Sequence, residues 1–314
     1  MEPLGWPRIA VVGAGAVGCY FGGMLARAGA PVTLIGRRPH VEAITRDGLF
    51  LDCIHFQEHV RVPAATEVSA ARGAEVVLFC VKTPDTEGSA RALQPYLPPD
   101  AIVLSLQNGV DNVERIRAAS GLDALAAVVY VAAAMKAPGH LKHSGRGDLV
   151  IGDVFAHEPC GPSRQPKLAA IAAMFARAGV PCLISENIAA ELWVKLIMNC
   201  AFNAISALGR AKYRVIAHLP ETRELIRQVV SETVCVASAA GVQLDEAAAL
   251  EATLRLGETM SEATSSTAQD IGRRKRTEID SLNGYVVRRG AELGIAVPVS
   301  QTLHALVKLL EESL

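Results

Sequence analysis

The pattern of apolar and polar positions changes character past the middle of the chain. Before that point, short apolar runs rich in β-branched residues occupy 8–12, 31–35, 75–81, 101–106 and 124–134. Residues 48–53, 59–62 and 181–184 read as shorter extended segments, and 148–152 as the last clear strand. Helical spacing fills 19–28, 86–93, 111–118 and 167–177. Strands alternating with helices predict an α/β fold, a Rossmann-type doubly wound parallel sheet. After about residue 185 the β-type runs vanish, and 187–208, 221–240, 245–256, 277–293 and 300–314 carry helical spacing. The expected organisation is an α/β domain over 1–185 followed by an all-α C-terminal domain over 186–314.

Composition narrows the classes. With 314 residues, 50% of them hydrophobic, the chain can bury a full core without disulfide or metal staples. Lys+Arg 31 against Asp+Glu 32 leaves a net charge of −1, so no global positive field draws nucleic acid or an anionic membrane. Aromatic residues at 4% are too few for base-stacking platforms. The cysteines (Cys19, Cys53, Cys80, Cys160, Cys182, Cys200, Cys235) are scattered with no C-x-x-C, the usage of reduced, buried thiols in a cytoplasmic protein. Residues 9–26 carry no charge and contain a G-x-x-x-G, the length of a minimal membrane span. Their glycines thin the hydrophobicity, and no basic start precedes a cleavage site, so neither a span nor a signal peptide is expected.

That uncharged stretch makes better sense as a ligand turn. Gly13-Ala14-Gly15-Ala16-Val17-Gly18 follows an apolar strand, opens a helix and precedes a second strand, the context in which G-x-G-x-x-G binds a dinucleotide. Gly13 permits the tight turn, Gly15 the approach of a pyrophosphate, and Gly18 close helix–strand packing; the helix N-terminus supplies N–H groups and a positive dipole. A Walker loop is excluded, because Cys19-Tyr20 stands where Lys-Ser/Thr is needed. At the end of the second strand, where an acidic residue would bind the ribose of NAD, the chain has Gly36-Arg37-Arg38. Guanidinium groups suit a 2′-phosphate, which favours NADPH. Two more strand ends, at Lys82 and at Gln107-Asn108-Gly109, are candidate ligand positions or else a solvated lysine and a turn.

In the helical half, Glu191, Lys195, Asn199 and Asn203 recur at i, i+4 among almost wholly apolar neighbours, one polar stripe on an apolar helix. It reads either as an exposed Glu–Lys pair with solvated amides, or as a buried lysine with amides that orient a polar ligand, its pKa lowered so that it can move protons. Residues 263–280 are polar-rich around the basic run 273–276, expected to be a solvated helix face or a phosphate-side contact. On one straight helix Ser266 and Glu278 would stand about 18 Å apart. A break near Gly272, or contact with different parts of the ligands, is therefore expected. No metal motif is present: His140-Leu-Lys-His143 lacks a third ligand and reads as a polar loop. There is no G-x-S-x-G.

The ordered set of these motifs resembles the ketopantoate reductases (2-dehydropantoate 2-reductases) over nearly the whole chain: Gly13 to Gly18; Val81-Lys82; Gln107-Asn108-Gly109; Pro138-Gly139-His140 with His143-Ser-Gly145; Trp193-Val-Lys195, Asn199 and Asn203; Thr264-Ser-Ser266, Gln269-Asp270, Thr277-Glu278-Ile-Asp280 and Asn283-Gly284. The resemblance implies NADP(H) bound at Gly13, Ala14, Gly15, Ala16, Val17, Gly18, Arg37, Lys82, Asn108, a backbone group near Ala134, and Glu278. It implies Lys195 as general acid, with Glu278 beside it in the catalytic set. Asn108, Asn199, Asn203 and Ser266 would hold a small 2-oxo acid, ketopantoate in pantothenate biosynthesis. It makes 1–185 the cofactor domain and 186–314 the substrate and catalytic domain. One departure concerns the substrate: the family often has a further Asn where this chain has Tyr213, which leaves a paralogue acting on another 2-oxo acid open. A β-hydroxyacid dehydrogenase and a non-catalytic NADP(H) sensor are the competing readings. The apolar helices after Glu221 serve either a homodimer face or the domain's own core.

Overall fold

The computed structural model describes residues 5–156 and 164–313; Cys160 lies outside the described residues. Of the other cysteines, Cys19, Cys53 and Cys200 are buried as expected, Cys80 and Cys182 are half-buried, and Cys235 is exposed against expectation. The chain forms two compact units. One comprises Met1–Gln107 and Asp111–Ile188, the other Asn108–Val110 and Ala189–Leu314.

The strands of the first unit are β1 (Ile9–Val12), β2 (Val32–Ile35), β3 (Leu49–Asp52), β4 (Gln57–Val60), β5 (Ala64–Ala65), β6 (Val76–Phe79) and β7 (Ile102–Ser105), followed by the longer β8 (Ala124–Ala137) and β9 (His140–Gly152), and β10 (Cys182–Ile184). The apolar four-residue runs β1, β2, β6 and β7 are buried almost throughout, as a parallel sheet requires, while β4 is mostly exposed. The order is β4-β3-β9-β8-β7-β6-β1-β2-β5, with β10 on β9. From β8 to β5 every pair is parallel, the Rossmann-type sheet expected from the alternation. Two antiparallel pairs, β8 with β9 and β3 with β4, extend it to a mixed sheet. Helices α1 (Ala16–Arg27), α2 (Arg38–Asp47), α3 (Thr86–Leu93), α4 (Asn112–Ser120) and α5 (Gln165–Arg177) complete the unit. Phe21 of α1 meets Phe175 of α5 edge-on, centroids 5.9 Å apart, inside one continuous core.

One element corrects the sequence reading here, and a helix that the pattern did not show follows β2. His140-Leu-Lys-His143 is not a loop but the start of β9, paired with β3 and β8. Leu141 and His143 are buried while His140 and Lys142 are half-buried, so the run alternates as a strand with a histidine on the inner face. Tyr20 stacks on that histidine at 4.6 Å. The residues after Arg37 are helical, with Pro39 in the first turn of α2, where its missing N–H costs nothing.

The second unit has no strand among the described residues. It contains α6 (Ile188–Gly209), α7 (Tyr213–His218), α8 (Pro220–Ala239), α9 (Glu246–Thr259), α10 (Ser266–Gly272), α11 (Asn283–Leu293) and α12 (Pro298–Glu312). Helix α6 runs through its core, with Ile197, Cys200, Ala201, Phe202 and Ala204 buried. It is also long and apolar enough to cross a membrane by length and composition, and 67% of that stretch is buried in the protein, as in the core helix of a globular unit. The break expected near Gly272 is present, because α10 ends there. The basic run 273–276 forms the exposed turn that follows, with Arg274 at a φ of 53°. The single helix expected over 277–293 does not form. Thr277 directs its N–H and hydroxyl to Glu311, and its Oγ1 accepts from the Ile279 N–H. Those local bonds replace a helical ladder, leaving a 3₁₀ turn at Ile279–Ser281 before α11.

Candidate active site

In the first unit the carboxyl ends of β1, β2 and β6 converge on the glycine turn. The Gly13 and Ala14 N–H groups both donate to the Ile35 carbonyl at 2.9 Å. Gly13 has a φ of 106°, and a Cβ there would lie 2.6–2.7 Å from the backbone of Cys80 and Val81. A Cβ on Gly36 would meet the Ala14 methyl at 2.6 Å, and one on Gly18 would meet the Gly13 carbonyl at 2.2 Å. Gly15 is different: a Cβ there meets nothing within 4 Å, so it faces open space. It is the N-cap of α1, whose first turn has neither a side-chain cap nor an acidic residue. Ala16, Val17 and Gly18 form that turn, so this end of α1 has uncapped N–H groups and an open approach, which suits a phosphate. Arg37 follows Gly36 and is exposed; Lys82, two residues beyond Cys80, is half-buried. Two cations thus leave the strands that flank the turn. Ala134 is half-buried on β8 opposite Lys142 of β9, in a stretch where β7 has already ended.

The ends of β6 and β7 are knitted by a buried polar network that sequence reasoning did not single out. Gln107 Nε2 donates to the Val81 carbonyl at 3.1 Å and to Thr86 Oγ1 at 2.7 Å, Ser105 Oγ donates to Gln107 Oε1, and Thr86 Oγ1 reaches Asn112 Oδ1. Each buried polar group here has a partner, which holds the two strand ends together. Only the Gln-Asn-Gly motif hinted at this in the sequence.

The second unit holds Asn108, Lys195, Asn199, Asn203, Ser266 and Glu278. On α6, Glu191, Lys195 and Asn199 are half-buried along one line, and Asn203 below them is 3% exposed. Asn203 is thus withdrawn from solvent, while the other three keep partial exposure. Asn108 Nδ2 donates to Glu278 Oε2 at 3.4 Å, joining two residues far apart in sequence. Ser266 is exposed on the first turn of α10, while its neighbour Ser265 is buried: the Ser265 Oγ donates to the Asn203 carbonyl at 3.1 Å and accepts from the Ala268 N–H. Ser265 is thus the cap that seats α10 on α6, a role legible from Ser preceding a helix. Tyr213 is buried against Phe202, centroids 4.5 Å apart. Burial pushes its phenol up to about 12, so it stays protonated near neutrality and offers a hydrogen bond rather than an exchangeable proton. No group of three or more His, Cys, Asp or Glu placed to hold a metal occurs among the described residues.

Comparison with known proteins follows the same division. The family model described as ketopantoate reductase PanE/ApbA matches residues 9–155, and the one described as its C terminal matches 187–311. A 2-dehydropantoate 2-reductase of Halobacterium salinarum is 33% identical over 96% of this chain and 98% of its own length. Among solved structures, a PanE/ApbA family ketopantoate reductase from Ralstonia eutropha JMP134 is 48% identical, with a TM-score of 0.89, over 98% of this chain and 99% of that one. A D-mandelate dehydrogenase in complex with NADH is 25% identical, with a TM-score of 0.88, over 98% and 99%.

Proposed function

The chain belongs to the ketopantoate reductase family, oxidoreductases acting on a CH–OH group, and on that premise we propose that it is a cytoplasmic enzyme that reduces a 2-oxo acid, 2-dehydropantoate foremost, to the 2-hydroxy acid with NADPH. The observation that carries the reading is the half-buried Lys195 in line with Asn199 and Asn203 on an otherwise apolar helix, in the same unit as the Asn108–Glu278 pair.

The glycine turn, with its open space at Gly15 and uncapped α1 terminus, fits a dinucleotide, and a nicotinamide cofactor accords with the NADH in the similar D-mandelate dehydrogenase. Bound there, the nicotinamide supplies the hydride. The first-turn N–H groups of α1 would hold the pyrophosphate, Arg37 and Lys82 would meet the remaining phosphate and ribose, and a backbone group near Ala134 would meet the nicotinamide. Lys195 holds its ammonium against the substrate carbonyl oxygen and gives it a proton as the C=O bond becomes C–O–H, so no free alkoxide accumulates. Asn199, Asn203 and Ser266 hold the substrate, with Asn108 and Glu278 at the reacting end.

NADPH oxidation with a panel of 2-oxo acids tests this. Turnover of 2-dehydropantoate above all others is the expected result, and NADPH binding without turnover of any acid would leave a sensor instead. The buried Tyr213–Phe202 pair favours one specific second reading, a paralogue selective for another 2-oxo acid, which the same panel separates. The preference for NADPH is assigned to Arg37. Arg37→Ser is expected to lower kcat/KM with NADPH about 10–100-fold, the worth of a charge-assisted phosphate contact, and to change that with NADH less than about 2-fold. Equal losses with both cofactors would remove Arg37 from phosphate recognition.

A further inference from the structure

The segment that carries Glu278 is irregular backbone, and the last helix holds it. On one side of Glu278, the Thr277 N–H and hydroxyl both donate to Glu311 Oε1, at 2.6 and 2.7 Å. On the other side, Asp280 accepts from His304 Nε2 at 2.7 Å and from Lys308 Nζ at 2.9 Å. Lys308 also reaches the second oxygen of Glu311 at 3.0 Å, so one ammonium joins the two anchors. Glu311, Lys308 and His304 all lie on α12. The other end of the segment is tied to α6, where buried Asn283 donates to the carbonyl of Cys200, the residue after Asn199.

Glu311 is the unusual member. Its side chain is 5% exposed, and a carboxylate is costly to bury unless its oxygens are satisfied. Burial pushes its carboxyl upward, but the Thr277 hydroxyl and N–H together with Lys308 outweigh that and hold it below the usual carboxylate range. It is therefore a charged acceptor fixed under Thr277. A neighbouring apolar side chain would fill the same space at lower cost, but it could not specify where the Thr277 backbone lies.

We propose that Glu311 is a positioning residue, which through Thr277 fixes Glu278 opposite Asn108. This rests on the reading that Glu278 serves the bound cofactor or substrate.

The test is a double-mutant cycle on the full-length enzyme with Glu311→Leu, Glu311→Gln, Glu278→Ala and the Glu278→Ala/Glu311→Leu pair. Glu311→Leu is expected to lower kcat/KM about 10-fold alone and less than about 2-fold once Glu278 is already alanine, because coupled residues are non-additive. Glu311→Gln, which keeps an acceptor for Thr277, is expected to recover most of the loss. The same loss in both backgrounds, or none in either, overturns the proposal, since a merely structural role lowers activity whether or not Glu278 is present. Thr277→Val, which removes the hydroxyl bond to Glu311 together with the acceptor of the Ile279 N–H and leaves the Thr277 N–H on Glu311, runs through the same cycle if Glu311→Leu does not fold. If the wild-type enzyme reduces no 2-oxo acid, the preceding functional reading fails by itself, and the cycle is read in the Kd for NADPH by fluorescence titration. Equal weakening in both backgrounds there overturns the proposal as well.

Discussion

Lys195→Ala is expected to lower kcat about 10³-fold while KM for the 2-oxo acid changes little, within the 10²–10⁴-fold range that general acid catalysis contributes. Hydride addition turns a neutral carbonyl oxygen into an alkoxide, the point at which a cation and a proton are needed together. The interaction with the ammonium strengthens as charge develops on that oxygen, so its loss falls on the transition state more than on the bound substrate. Lys195 suits the task by its setting: half-buried on α6, flanked by buried Trp193, Leu196 and Ile197. The helix is anchored by those apolar neighbours, so truncating the lysine is expected to leave the melting temperature within a few degrees, near 1 kcal/mol or less. Stopped-flow measurement of the hydride step in the variant checks the kinetic prediction. Turnover unchanged from wild type would remove Lys195 from the chemistry, and a large fall in melting temperature would recast it as a structural residue.

The parts of this site that repeat at a local period were legible in the sequence, and the parts joined across the chain were not. The stripe of Lys195, Asn199 and Asn203 stands out because α6 is otherwise apolar, and helical period alone puts the three in line. The glycine turn stands out because a strand, three spaced glycines and a helix follow in order. By contrast, Gln107, Thr86 and Asn112 meet only once β6 and β7 lie side by side. Glu311 looks like any acid in a C-terminal helix until Thr277 is seen against it. His140 and His143 misled because a histidine counts as polar in a pattern while its ring packs on aromatic neighbours, His143 on Tyr20 and His140 on Phe50. The helix expected over 277–293 failed where a threonine hydroxyl competed with the backbone ladder, which no periodicity reveals.

Two of the three glycines of the turn, Gly13 and Gly15, separate folding from cofactor binding, and valine at each is expected to do opposite things. At Gly15 the backbone is extended, with φ −88° and ψ −163°, which any residue adopts, and an added Cβ touches nothing within 4 Å. Gly15→Val therefore folds with stability unchanged to within about 0.5–1 kcal/mol. The space the isopropyl group enters adjoins the uncapped first turn of α1, where the pyrophosphate needs close backbone approach. NADPH affinity in this variant is expected to fall about 100-fold, the loss of a helix-terminus phosphate site. At Gly13 the φ of 106° disfavours any side chain, and the Cβ would sit 2.6 Å from the Cys80 carbonyl, which β6 cannot move without breaking its register. Gly13→Val is expected to cost about 3 kcal/mol or more of stability, through left-handed strain and overpacking together. Thermal melting and fluorescence titration with NADPH, run on both variants, read the two effects independently. A Gly15→Val protein that binds NADPH like wild type would move the cofactor off this turn. One that unfolds would contradict the open space on which the dinucleotide assignment stands, because nothing else distinguishes Gly15 from the two glycines that pack against backbone.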